Sequence, residues 1–397
     1  MNDVFRRNPM LALSMGDPAG IGPEVILKAA TVADVRAVSN VVVFGDPLVL
    51  ERAAHDASVS AAIIPVEDVA SARLYQAVGE VPVVTLSRLD HVPWGKPTRE
   101  SDGAQVSYIR EATQSVLRGQ ADALVTAPVS KAAFSRAGVP WAGHTEMLAD
   151  LCRSSVRAKD VRSEGRGVDD RGAEDGSAED RGVEDRSVGD GRRDRALDPV
   201  MMLVGPTLKV VPLTRHVALS AVPKLIVPEL VLHAIEVTDA AFRRHFARHQ
   251  PRIAIAGLNP HAGEGGMFGR EEEEVILPAV REASKKGIHV SGPHPPDAIY
   301  RRTADGEFDV VIGMYHDQAL IPLKLLDFDV AVNVTLGLPL VRTSVDHGTA
   351  YDIAGQGVAS AHSMMAAMNL AGAMVARAEE TSAAEGAGAA SLSGRAF

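Results

Sequence analysis

Residues 308–357 read FDVVIGMYHDQALIPLKLLDFDVAVNVTLGLPLVRTSVDHGTAYDIAGQG, and the pattern within them decides the fold class. The apolar run Val310-Val311-Ile312-Gly313-Met314 is the length of a buried strand. It ends in Tyr315-His316-Asp317-Gln318, at the C-terminal end of a strand, where open α/β sheets gather their ligands. His316 is therefore a candidate ligand or acid/base group. Lys324, Asn333 and Arg342 follow, separated by apolar residues, and all three can hold an anionic, hydroxylated molecule. Asp346-His347-Gly348-Thr349-Ala350 then sets polar groups beside a glycine that lets a ligand approach the backbone. A strand, a turn and a helix with incidental polar caps would account for any one of these residues, but not for the whole set.

The 397 residues are 46% hydrophobic, more than a single core usually holds, so two domains are expected. A formal charge of −10 argues against a nucleic-acid-binding surface, which needs clustered Lys and Arg. A small anionic substrate stays compatible with a local basic site. The single cysteine, Cys152, rules out internal disulfides and cysteine-rich zinc sites and fits a reducing compartment. No apolar run approaches the roughly 20 residues that cross a bilayer. The first ten residues lead into a strand pattern instead of a secretory segment, so a cytoplasmic protein without membrane partners is expected.

From the N-terminus, Leu11–Met15 reads as a strand, Gly16-Asp17-Pro18-Ala19-Gly20-Ile21-Gly22-Pro23 as a glycine-rich turn, and Glu24 to about Ala30 as a helix. Such a turn can bind phosphate, but its spacing is neither the P-loop nor GxGxxG. Ser101–Leu117 is periodic as an amphipathic helix, and Ala123–Thr126 as a strand, followed by Ser130, Lys131 and Gly143-His144-Thr145-Glu146. The last group doubles as a helix-start signal. Residues 160–198 carry 13 acidic and 8 basic side chains in near-repeats of Arg-Gly-Val/Ala-Glu/Asp-Asp, half of the chain's net charge. That composition predicts a disordered surface insertion, which loop-closure entropy tolerates. Val200–Val204, Gly205-Pro206 and Lys209–His216 form a hairpin pattern ending in His216; Pro228–His249 reads as a helix. A strand at Arg252–Ala256 empties into the glycine-laden loop 257–266, which holds His261.

His216, His261 and His316 each follow a predicted strand near a turn, and three histidines are a common way to hold a divalent metal with open positions. Spacing alone does not make them converge.

The motifs GDPAGIGPE from Gly16, VTAPVSK from Val125, GHTE from Gly143, LNPHAGEGG from Leu258, YHDQ from Tyr315 and NVTLGLPLVRTSVDHGTAYDIAG from Asn333 together resemble the 4-hydroxythreonine-4-phosphate dehydrogenase family. The resemblance covers residues 11–375 and omits the acidic insertion and an Ala/Gly/Ser-rich tail, 379–397, expected to be disordered. It implies an α/β fold like that of isocitrate and isopropylmalate dehydrogenases, not a Rossmann fold. Two domains, discontinuous in sequence, would flank an active-site cleft, and a homodimer would share its active sites. It implies metal ligation by His216, His261 and His316, with one zinc, magnesium, manganese or cobalt ion per site, and substrate binding by His144, Thr145, Lys324, Asn333 and Arg342. Binding of NAD or NADP falls on the loop with His347, Gly348, Thr349 and Asp352.

The implied reaction oxidises 4-phosphohydroxy-L-threonine to a 3-keto acid that decarboxylates to 3-amino-2-oxopropyl phosphate, in vitamin B6 biosynthesis. Asp317 and Lys324 are the candidate proton acceptors. Relatives acting on D-threonate or D-erythronate 4-phosphate, or on aromatic cis-dihydrodiols, are the alternatives within the family. Ala319 departs from the glycine many members carry after His-Asp-Gln, which should only tighten the local backbone. A phosphotransacetylase-like acyltransferase would have no use for three metal histidines, and a non-catalytic descendant would be expected to have lost a ligand. Replacing residues 162–195 by a short linker should leave turnover within a few-fold and remove a protease-sensitive site. Loss of folding on that deletion would contradict this reading.

Overall fold

The structure, a computed structural model, describes residues 7–141, 143–164 and 198–393. Among these described residues twelve strands form one sheet: β1 Met10–Ser14, β2 Asn40–Gly45, β3 Ala62–Val66, β4 Glu80–Thr85, β5 Ala123–Thr126, β6 Val200–Val204, β7 Lys209–Pro212, β8 Ile253–Ala256, β9 Val290–His294, β10 Val310–Gly313, β11 Val332–Leu336 and β12 Val341–Val345. Their order is β3-β4-β2-β1-β5-β12-β11-β6-β7-β10-β8-β9. The strands from β3 to β12 are mutually parallel, and so are β7, β10, β8 and β9. Between these two wings the pairs β12/β11, β11/β6 and β6/β7 are antiparallel. The order also departs from the 3-2-1-4-5-6 of the dinucleotide-binding doubly wound fold.

The inner strands of the parallel wings are buried on both faces, as helices on each side of a parallel sheet require. All residues of β1, β5, β8 and β10 are buried. Alternation along β1 sends Leu11 and Leu13 to one face, with Val25 and Ile26 of the helix Gly22–Ala30 and Met368 of the helix His362–Ser393. Met10 and Ala12 face the other way, onto Ile109 of the helix Arg99–Leu117 and Met147 and Leu148 of the helix His144–Glu164. A separate core of Leu203, Val210, Ala254, Val311 and Leu323 packs the corresponding face of the second wing.

The expected hairpin forms, but β7 stops at Pro212, so His216 lies in the loop beyond the strand. The helix Pro228–His245 ends short of the expected His249. The helix His144–Glu164 runs into the segment expected to begin the acidic insertion; the rest of that segment, up to Leu197, lies outside the described residues. Residues 379–393, expected as part of a disordered tail, continue the last helix to Ser393. Their alanines, the best helix formers, explain the difference.

The hairpin turn is pinned from outside. Asp327, at the end of the helix His316–Asp327 and buried, accepts from Thr207 N at 3.1 Å and Leu208 N at 3.0 Å. Asp327→Ala leaves the buried Leu208 N without an acceptor, while water can reach Thr207 N, and should cost about 2 kcal/mol, since an unmet buried donor costs about 1–3 kcal/mol. Denaturant unfolding measures the loss, and an unchanged midpoint would contradict it.

Candidate active site

β7 and β10 pair in parallel, with Val211 opposite Ile312 and Pro212 opposite Gly313, so both release their following loops at the same edge of the sheet. The chains stay latched past the strands. Leu213 N donates to Gly313 O at 2.8 Å, and both Thr214 N and its hydroxyl donate to Met314 O, at 3.2 and 2.8 Å. A few residues on, His216 and His316 arrive together, with ring centroids 5.8 Å apart. His316 opens the helix His316–Asp327, and its Nδ1 is 2.6 Å from Asp317 Oδ1. A carboxylate on Nδ1 leaves Nε2 as the nitrogen available to a ligand. The pKa of His216 is lowered, first by burial and then by the Lys131 and His316 charges. Lys131 Nζ is 3.5 Å from His216 Nδ1.

These histidines stand on an open cleft of about 720 Å³ that also collects His144, Thr145, Asn333, Arg342, His347 and Gly348. It lies against one face of the antiparallel centre. Arg342 and Ser344 are two apart on β12 and so share a face, and Asn333 sits directly opposite Ser344. Arg342 is 1% exposed, with Nη1 donating to Thr335 Oγ1 at 2.9 Å and Nη2 to Thr126 Oγ1 at 2.7 Å. Among the described residues no carboxylate accompanies it, and burial alone pulls its pKa down to about 9. Its Nε has no partner among the described residues; nor have His144 Nδ1 and Asn333 Oδ1. Part of the His144 ring surface faces the cleft, yet the ring sits deep among protein atoms. That desolvation, ahead of the charges of Arg342 and Lys131, holds its pKa well below the usual histidine value. His144 also begins its helix, so the helix-start reading and the cleft reading hold together.

Other candidate residues are placed differently. Lys324 makes an ion pair of 2.7 Å with Asp346, on the cleft wall, so its charge is already matched. Asp317 is engaged by His316. His347, Gly348, Thr349 and Asp352 share one loop at the cleft's edge. His347, Gly348 and Asp352 are exposed there, and open space lies above Gly348, while the Thr349 carbonyl accepts from Ile21 N at 3.0 Å.

His261 does not join His216 and His316. It is exposed, in a left-handed conformation with φ 53°, on a loop held by Glu272, whose carboxylate accepts from Asn259 N at 2.7 Å. Gln318 ties that loop to β10, donating to Gly257 O at 2.8 Å and accepting from Met314 N at 2.6 Å. Among the described residues no group of three His, Cys, Asp or Glu in one chain could hold a metal. Sequence reasoning missed Thr126 and Thr335, which carry Arg342, and left Lys131 unassigned. Thr126, the one polar residue of its strand, standing just before Ala127-Pro128, was the available signal for the first.

Known proteins supply the comparison. The family model for the pyridoxal phosphate biosynthetic protein PdxA matches residues 37–161 and 192–371, leaving most of the acidic near-repeats outside. A 4-hydroxythreonine-4-phosphate dehydrogenase of Geobacter metallireducens is 42% identical over 369 residues, 92% of this chain and 95% of that protein. One from Desulfosudis oleivorans is 40% identical over 365 residues, 91% and 95% of the two chains. The crystal structure of a 4-hydroxythreonine-4-phosphate dehydrogenase from Klebsiella pneumoniae superposes with a TM-score of 0.75 at 34% identity, covering 93% of this chain and 100% of that one. A terephthalate 1,2-cis-dihydrodiol dehydrogenase from Burkholderia xenovorans is more distant, with a TM-score of 0.57 at 26% identity, over 92% and 98%. With a family model spanning most of its length and relatives at about 40% identity end to end, the chain belongs to the family of the pyridoxal phosphate biosynthetic protein PdxA.

Proposed function

We propose that this protein is a metal- and NAD(P)-dependent 4-hydroxythreonine-4-phosphate dehydrogenase in pyridoxal phosphate biosynthesis. Its substrate would be 4-phosphohydroxy-L-threonine, and its 3-keto product would decarboxylate to 3-amino-2-oxopropyl phosphate. The relatives that carry this name stand near 40% identity, whereas the dihydrodiol dehydrogenase stands at 26%. The observation that carries the reading is Arg342, a buried cation with no acidic partner among the described residues, whose own Nε is unmatched beside two further unmatched polar atoms, His144 Nδ1 and Asn333 Oδ1, on one cleft. Desolvating a charge this way is costly unless something pairs with it, and a phosphate supplies charged oxygens that can accept from the guanidinium N–H donors. His144, Thr145 and Asn333 would complete the anion's hydrogen bonds.

A divalent ion, zinc, magnesium, manganese or cobalt, would polarise the reacting hydroxyl and a nicotinamide would accept the hydride. One chain offers two suitable nitrogens for that ion, on His216 and His316, with Asp317 orienting the latter. Lys324, held against Asp346, would keep the cleft wall in place beside His347. The open face of Gly348 suits close approach of the cofactor, with His347, Thr349 and Asp352 as its polar contacts. The two parallel wings would be the two domains that flank the cleft.

The third metal ligand, His261, would come from a second copy, making the enzyme a homodimer with shared sites. Support lies on the surface: Ile321, Leu325, Leu326 and Phe328 leave an exposed apolar face on the helix that starts at His316 and on the residue after it, and Met267 and Phe268 are exposed beside His261. Such patches mark protein interfaces.

Two measurements test the reading. Arg342→Met should raise KM for the phosphorylated hydroxy acid by about a hundredfold, given about 1.5–3 kcal/mol for hydrogen bonds to charged groups. It should also abolish the rise in Tm that inorganic phosphate gives the wild type. An unchanged KM and phosphate response would remove Arg342 from the anion site. For the shared site, mixing inactive His316→Ala and His261→Ala proteins should restore about a quarter of wild-type activity after random exchange, because half the dimers are mixed and each keeps one intact site. His216→Ala mixed with His316→Ala should restore none. No recovery in the first mixture, with exchange verified, would put His261 and His316 of one site on the same chain.

A further inference from the structure

The glycine-rich motif Gly16–Glu24 matches no phosphate-binding spacing, and in the fold it instead grips residues 346–359. Asp17 is fully buried. Its Oδ1 accepts from Ala19 N at 2.9 Å, and its Oδ2 accepts from the Tyr351 hydroxyl at 2.5 Å and from Gln105 Nε2 at 3.4 Å. Gln105 in turn accepts from Ser130 N at 2.9 Å. Ile21 N holds the Thr349 carbonyl, and a side chain at Gly20 would come within 2.9 Å of that same oxygen, so only glycine lets the two backbones approach. Glu24 accepts from Ala359 N at 2.9 Å, while Lys28 Nζ donates to Glu24 at 2.7 Å and to the carbonyls of Gly357 and Ala359 at 2.9 Å each. Between the Thr349 and Tyr351 anchors, Ala350 sits at φ 41°, a conformation that a residue with a Cβ holds only when its surroundings impose it. Trp94 closes the far side, its ring against Gly355 and under the Arg52 guanidinium, 3.8 Å from the ring centroid.

From this arrangement we propose that Asp17 is a positioning residue for cofactor binding, setting the conformation of His347–Asp352 through the Tyr351 hydroxyl. The inference rests on reading that loop as the nicotinamide dinucleotide site. Asp17 itself has no surface with which to touch a ligand. Its carboxylate takes a backbone bond from its own turn and a side-chain bond from the loop, so the geometry of one fixes the other. Losing that bond leaves the loop anchored at Thr349 and at 357–359 but released in between, where the strained Ala350 relaxes.

The test reads the loop and the cofactor separately. With Trp141→Phe as background, Trp94 is the only tryptophan and reports on the loop it abuts. Tyr351→Phe removes a single hydroxyl and should raise acrylamide quenching of Trp94 in the ligand-free protein. It should raise KM for NAD or NADP by about tenfold, the effect of one strong hydrogen bond, while metal content and KM for the hydroxy acid stay within twofold. Asp17→Asn should do the same. If the two residues act as one unit, the double variant should be no worse than the worse single. Multiplied effects in the double variant, or unchanged quenching and cofactor KM in Tyr351→Phe, would overturn the proposal. Raised quenching with unchanged cofactor KM would overturn it differently: the clamp would stand, and the loop would not be the cofactor site.

Discussion

The guanidinium of Arg342 is the constraint around which the cleft is built. It lies at the seam between a parallel wing and the antiparallel centre, held by one hydroxyl from β5 and one from β11. Neutral hydroxyls fix its position without neutralising it, so the cation keeps its demand for an anion. An aspartate in place of either threonine would satisfy the charge internally and remove that demand. That demand is local, which reconciles a basic site with a chain carrying a formal charge of −10.

The antiparallel centre has a second consequence. It reverses strand direction between the wings, so that β7 and β10 carry His216 and His316 to a common edge while β11 and β12 present Asn333 and Arg342 on one face. Chemistry that needs both histidines and an anion anchor can thus be assembled from segments about a hundred residues apart. The same geometry leaves His261 outside the cluster, on its own glycine-rich loop, with exposed apolar side chains beside it.

Much of this is legible from residues alone where local rules suffice. The short apolar runs become strands, and the hairpin at Gly205 forms, because burial on both faces and turn chemistry are encoded within a few residues. Asn333 and Arg342 stand out in the sequence as polar side chains set among apolar residues, and His216 and His316 as histidines that follow short strand patterns. The tail reads differently from how it folds: its glycine, serine and alanine content suggests disorder, and the alanines carry a helix instead. Lys324 reads as a substrate-binding group and candidate proton acceptor, and nothing in its sequence neighbourhood reveals that it also pairs with Asp346.

By itself the sequence determined the α/β class, the family and the inventory of candidate polar groups, because residue type and local spacing carry that information. Only the tertiary structure decided which of them meet. The pairing of β7 with β10 joined two histidines and left out the third, and two distant threonines proved to cradle the arginine. The glycine-rich turn at Gly16, open in sequence to a phosphate-binding reading, became a clamp on a loop more than three hundred residues away. Hydrogen-bond partners separated by that much chain are set by strand order and register, which short-range patterns in a sequence do not contain.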